Sequence, residues 1–117
     1  MKVEIPPEIE KELERKGGLE VIEKSIPDLK KIEGMIKAIS DEKRLKILYG
    51  LYRQRMCVCM LAKIIDCPYS KCSYHISILK EIGLIDGKSL GNYIIYSLTP
   101  LGRKILKVIE KIKEMMK

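Results

Sequence analysis

From Pro27 onward the apolar residues fall three and four apart with polar and charged residues between them, the period of helices buried on one side. Asp28 follows Pro27 and caps a helix to Ile39, on which Leu29, Ile32, Ile36 and Ile39 make one stripe. Ser40 caps the next helix, with Asp41 and Glu42 in its positively polarised first turn, and that helix buries Leu45, Leu48, Leu51 and Tyr52. Both stripes read as core. Met56, Met60, Leu61 and Ile64 carry helical spacing through Ile65, where Asp66-Cys67-Pro68-Tyr69 breaks the run, because Pro68 cannot continue a preceding helix and suits the first turn of a new one. The new helix centres on Ser70 to Lys80, with Cys72, Ile76 and Leu79 on one face, and Gly83 stops it. Leu84-Ile85 and Tyr93 to Leu98 then flank a loop, Asp86 to Asn92, that holds two Gly and an Asn, which reads as a hairpin. Thr99-Pro100 opens a last helix to the terminus. Its Leu101, Ile105, Val108, Ile112 and Met115 alternate steps of four and three, a seam that either covers its own domain or pairs with a second copy.

Two helices around a tight break, followed at once by a hairpin, make a winged helix-turn-helix. The expected fold is mainly α with a small β-hairpin. Residues 28–117 form this domain, and residues 1–27 form an N-terminal arm with a helix from Pro7 to Lys16, ended by Gly17-Gly18, and a further turn or two to Ile26. A chain of 117 residues is one domain's worth and can bury a core without staples.

Charge adds a partner. The net charge is +7, and it is unevenly spread: residues 1–40 hold eight basic and nine acidic groups, residues 41–117 hold 15 and 7. A basic body behind a near-neutral arm fits a polyanion such as double-stranded DNA. The outward side of the Ser70–Lys80 helix carries Ser70, Lys71, Ser73, Tyr74 and Ser77, groups that fit between base edges and bond to them. Lys88 and Asn92 in the wing are placed for backbone or minor groove. No apolar run approaches a membrane span, and the start is charged with Pro6-Pro7, so a cytoplasmic protein is expected. There four Cys suit metal, redox or burial roles better than a disulfide framework. His75 is the only histidine, so neither a Ser/His/Asp site nor a paired-His metal site is available in one chain, and no enzyme is expected.

Four motifs in order, over residues 35 to 98, carry a resemblance. Ile39 to Leu48, Arg55 to Leu61, Ser73 to Ile85 and Gly91 to Leu98 resemble the entry helix, the cysteine-bearing sensor motif, the recognition helix and the second wing strand of the ArsR-type (arsenic- and metal-sensing) winged-helix repressors. The resemblance implies a homodimer joined by its first and last helices, here through Leu29, Ile32 and Ile36 with Leu101, Ile105, Val108, Ile112 and Met115. It implies a palindromic operator. It also matches His75 to the family's recognition-helix histidine, with a structural or phosphate-contacting role among the DNA-facing residues. The sensor motif departs from the family pattern where its acidic residue is Met60 and where the third cysteine of some arsenic sensors is Ala62.

Cys57-Val58-Cys59 is the resembling core of that motif. Soft thiolates select thiophilic ions such as As(III), Cd, Zn or Cu(I), so such an ion is the expected inducer, with no obligatory cofactor. In a regular helix the two residues point about 200° apart, so they converge only if the helix start is loosened. An ion that prefers three sulfurs needs another from Cys67, Cys72, the other subunit or a small thiol. Cys67 is the better intrachain candidate, although it lies about 15 Å from Cys57 along a regular helix. Cys72 reads as a small buried hydrophobe. A regulator of the same fold that senses redox state or a small molecule is the near alternative, and a thiol oxidoreductase using Cys67 and Cys72 the distant one.

Overall fold

A computed structural model describes residues 4–117. The first three residues of the expected arm lie outside them. The chain divides into two compact units, one ending at Lys31 and one spanning Ile32–Lys117. In the first, α1 (Pro7–Arg15) starts on Pro7 at its first position, where no N–H is needed. Gly17 and Gly18 take φ of 96° and 91°, a region closed to most residues, so the helix stops there and α2 (Leu19–Ser25) begins. Neither helix buries a residue.

α3 (Lys30–Ile39) opens where the Asp28 carboxylate accepts from the Lys30 amide at 3.1 Å. The cap of α4 (Glu42–Arg53) is Asp41, which accepts from the Lys43 and Arg44 amides at 2.9 and 3.2 Å. Ser40, expected in that role, instead donates to the Lys37 carbonyl. α4 buries Ile47, Leu48 and Leu51; Leu45 is half-buried and Tyr52 exposed, so the inward stripe is rotated from the expected one. The α3 stripe is also different from expectation: Ile32 and Ile36 are exposed, and Ala38 is the buried residue of that helix.

A strand, β1 (Met56–Cys57), stands where helix was expected to start, and α5 covers only Val58–Ile65. Met56 is nonetheless buried, while Met60 and Ile64 are exposed. Asp66 then takes a left-handed conformation (φ 52°), and α6 runs Tyr69–Glu81 with Pro68 at its cap. Cys72, Ile76 and Leu79 are buried beneath it as the spacing predicts. Each buried Ile or Leu there contributes about 1.5–3 kcal/mol by leaving water. The hairpin is longer than its sequence suggests. β2 (Ile85–Leu90) pairs with β3 (Tyr93–Leu98), Ile85 opposite Leu98 and Leu90 opposite Tyr93, which leaves Gly91-Asn92 as the whole turn. Gly91 at φ 61° in the first central position is the requirement of a II′ turn. β1 adds to the other side of β3, giving the antiparallel order β1-β3-β2.

α7 (Pro100–Met115) is fixed at its start. Thr99 Oγ1 accepts from the Gly102 amide at 3.0 Å and donates to the Gly83 carbonyl at 2.6 Å, tying α7 to the end of α6. Gly102 packs against the Leu84 carbonyl so closely that a Cβ would overlap it. The core of Ile47, Leu48, Leu61, Ile65, Leu79, Leu84 and Ile85 joins α4, α5, α6 and the sheet. No helix among the described residues is long and apolar enough to cross a membrane.

Candidate nucleic-acid interface and thiol pair

Burial of one side of α6 turns the other side out. Ser70, Lys71, Ser73, Tyr74 and Ser77 are all exposed, Tyr74 at 61%. Ser77 Oγ donates to the Tyr74 carbonyl at 2.7 Å, so at rest its hydroxyl is occupied within the helix. Lys88 and Asn92 are exposed on the wing, and Ser97 donates to the Asp86 carboxylate across the hairpin at 3.0 Å.

His75 is placed apart from this group. It is 8% exposed and turned inward, where Arg44 Nη1 lies 2.9 Å from its Nδ1. Burial pushes its pKa below the ordinary value, Asp41 opposes that, and Arg44, Lys43 and Lys71 add to it. Burial pushes the Asp41 carboxyl up, but the Arg44 amide and charge, His75 and the Lys43 amide outweigh it and hold the group below its usual range. Sequence reasoning passed over Arg44, since a lone Arg in a helix start carries no pattern that marks a long-range contact.

Cys57 and Cys59 come together. Cys57 is extended (φ −81°, ψ 168°), paired in the sheet opposite Ile95, and serves as the cap of α5, whereas Cys59 lies in its first turn. The 200° divergence of a regular helix therefore does not apply. Their Cα atoms are 5.5 Å apart and their sulfurs are joined as a disulfide. In the reduced chain the same backbone offers two adjacent thiols.

A cavity of about 390 Å³ opens beside them, lined by Cys57, Cys59, Tyr69, Ser73, Asn92 and Tyr93, among others. One wall is thus the outward face of α6 and another the wing. Tyr69 and Tyr93, exposed aromatics that no motif singled out, complete it. Cys59 and Tyr69 also border a second cavity of about 360 Å³ with Cys67 and Asp66. Cys67 is half-buried and unbonded, and among the described residues no three Cys, His, Asp or Glu side chains cluster as metal ligands would. Cys72 is fully buried, and burial followed by neighbouring Cys67 pushes its thiol pKa up. A thiol so raised is a poor nucleophile.

The seam on α7 is exposed in the single chain: Val108 is 51% and Ile112 48% exposed, with Leu101 and Met115 exposed as well, whereas Ile105 packs partly on the core. Leu29, Ile32 and Ile36 are likewise exposed.

Comparison with known proteins gives these features a context. The profile of the bacterial regulatory protein, arsR family, matches residues 41–86. The chain is 36% identical over 84 residues to the cadmium resistance transcriptional regulatory protein CadC of Listeria innocua, covering 71% of this chain and 69% of that one. It is 42% identical over 71 residues to the arsenical resistance operon repressor of Bacillus subtilis, covering 60% and 68%. A homodimeric winged helix-turn-helix DNA-binding domain from Mycobacterium bovis superposes with a TM-score of 0.66 at 19% identity, over 77% of this chain and 89% of that one, which shows the shared fold.

Proposed function

The chain belongs to the arsR family of bacterial regulatory proteins, a family of transcriptional regulators and not of enzymes, and from that premise we propose a homodimeric repressor that leaves its operator when reduced Cys57 and Cys59 take up a thiophilic ion. Each α6 enters a major groove of a palindromic duplex. Ser70, Lys71, Ser73 and Tyr74 meet base edges or phosphates there, and Ser77 does so once its hydroxyl rotates. Lys88 and Asn92 touch the backbone or minor groove. The two copies join through the exposed stripes of α3 and α7, because Val108 and Ile112 on one copy lose water contact only against another apolar surface.

The carrying observation is the cavity that the two thiols share with Ser73 and Asn92. Occupancy of that space acts on the recognition helix and the wing at once. Two thiolates suit As(III) or Cd(II) by softness, and the relatives' names point to the same pair. A third ligand has to come from Cys67 after a local rearrangement, from the second copy or from a small thiol.

The test is binding of a duplex selected from a random pool, followed by fluorescence anisotropy in reducing, metal-free buffer. As(III) or Cd(II) should release the wild type, and Cys57→Ser/Cys59→Ser should bind DNA normally and ignore both. Release of the double mutant at wild-type ion concentration places the sensor elsewhere. The disulfide itself favours a second reading, in which oxidation of the same two thiols is the signal. A mild oxidant acting without any metal, reversed by dithiothreitol, identifies that case.

A further inference from the structure

We propose that Arg44 is a positioning residue for the recognition helix: its guanidinium ties the carboxy-terminal carbonyls of α3 to the ring of His75 on α6, and α6 keeps its place only while that ring is neutral. Arg44 Nε donates to the Ala38 carbonyl at 2.6 Å and Nη2 to the Lys37 carbonyl at 3.3 Å. These carbonyls belong to the last turn of α3, where the Lys37 carbonyl also accepts from the Ser40 amide and hydroxyl at 3.4 and 3.1 Å, and the negative end of that helix favours a cation. The third arm of the fork, Nη1, reaches His75 Nδ1 at 2.9 Å.

An Arg guanidinium only donates and stays charged, so Nδ1 must accept. That fixes the imidazole as the neutral tautomer with its proton on Nε2. A proton on Nδ1 removes the acceptor and sets two cations side by side in a partly buried site. The surrounding groups favour the neutral ring. Lys43 and Arg44 face it from α4 and Lys71 from α6 itself, with only Asp41, at the α4 cap, acting the other way. Tyr74 lies beside it with ring centroids 5.6 Å apart, and α3 contributes the two carbonyls. The clamp joins the helix bearing Ile32 and Ile36 to the helix bearing Ser73 and Tyr74, so a dimer contact and a base contact share one rigid link.

The effect on DNA rests on the reading of α6 proposed above, whereas the clamp does not. His75 is the sole histidine, so imidazole ¹⁵N signals report it without assignment. At about pH 7.5 they should show Nδ1 unprotonated and Nε2 protonated. Arg44→Gln should lose that preference and exchange its α6 amides about tenfold faster, with α7 amides unchanged, since the charge-assisted bond that reaches α6, from Nη1 to His75 Nδ1, is lost. On a duplex selected from a random pool, Arg44→Gln should bind about tenfold more weakly. Wild-type affinity should hold down to about pH 6.5 and fall below it as the pH passes through the lowered folded-state value of His75, whereas His75→Asn, whose amide oxygen stands in the place of Nδ1 and accepts from Arg44 at any pH, should hold its affinity across that range. Should Arg44→Gln not fold, Arg44→Lys supplies the imidazole and exchange readouts and His75→Asn the pH readout. A protonated Nδ1 at neutral pH, unchanged α6 exchange, or a His75→Asn variant as acid-sensitive as wild type overturns the clamp. If the wild type selects no duplex while the imidazole and exchange results come out as stated, the DNA reading fails and the clamp stands.

Discussion

Thr99→Val isolates the joint between the recognition helix and the last helix. Valine keeps the shape and the extended backbone of this position (φ −79°, ψ 167°) and removes only the hydroxyl. Two bonds go with it. The Gly102 amide loses its cap at 3.0 Å, a loss that costs about 1 kcal/mol. The Gly83 carbonyl loses a donor at 2.6 Å, about 1 kcal/mol more. The Gly102 amide has no room to rearrange. Gly102 is pressed on the Leu84 carbonyl, and the Thr99 amide already donates to that carbonyl at 3.1 Å. The sum, about 2 kcal/mol, corresponds to a fall in Tm of roughly 8–16 °C for a unit of this size. Thermal unfolding by circular dichroism should be read at one fixed protein concentration, because association shifts apparent stability. Thr99→Ser, which retains both bonds, is the control and should stay near wild type. A Thr99→Val midpoint within about 2 °C of wild type would refute the argument that this hydroxyl holds α7 to α6.

Val108→Asp with Ile112→Asp should yield monomers by analytical ultracentrifugation, since an unpaired charge in the seam costs several kcal/mol; a variant that still sediments as a dimer moves the interface elsewhere. Both sites are exposed in the single chain, so its fold should survive. Tyr74→Ala should relax base preference in a selection experiment, while Lys88→Ala should weaken all duplexes alike and lower the salt slope by about one; equal effects on matched and random duplexes for both would contradict the assigned roles. Stability should fall as pH drops below about 6.5, because the unfolded chain's imidazole takes a proton before the buried, depressed His75 does, and the loss levels off below the folded-state value. Urea titrations of wild type and His75→Gln across that range should differ only on the acid side. Gly102→Ala should destabilise by about 1–3 kcal/mol in the same titration, since its Cβ meets the Leu84 carbonyl.

Local chemistry alone determined much of this protein. The helix breaks at Gly17-Gly18, Pro68 and Gly83, the Thr99-Pro100 start and the buried trio Cys72, Ile76 and Leu79 were legible because each is a backbone restriction or a strict period acting within a few residues. Other features depended on partners distant in sequence. Met56-Cys57 has the apolar character of a helix start and becomes a strand because Tyr96 and Ile95 on β3 meet its backbone groups. That switch alone brings the two thiols together. Asp86 to Leu90 looked like loop, since Asp, Gly, Lys and Ser are weak strand formers, yet pairing with β3 extends the hairpin to its two-residue turn. The α3 stripe and the α7 seam have the same spacing as core helices, and periodicity cannot tell a face that the chain buries from one that it leaves exposed. Arg44 and His75 stand 31 positions apart, and only the packing of α4 beneath α6 sets a guanidinium against an imidazole; a hydrogen bond between side chains that far apart leaves no local period in a single sequence.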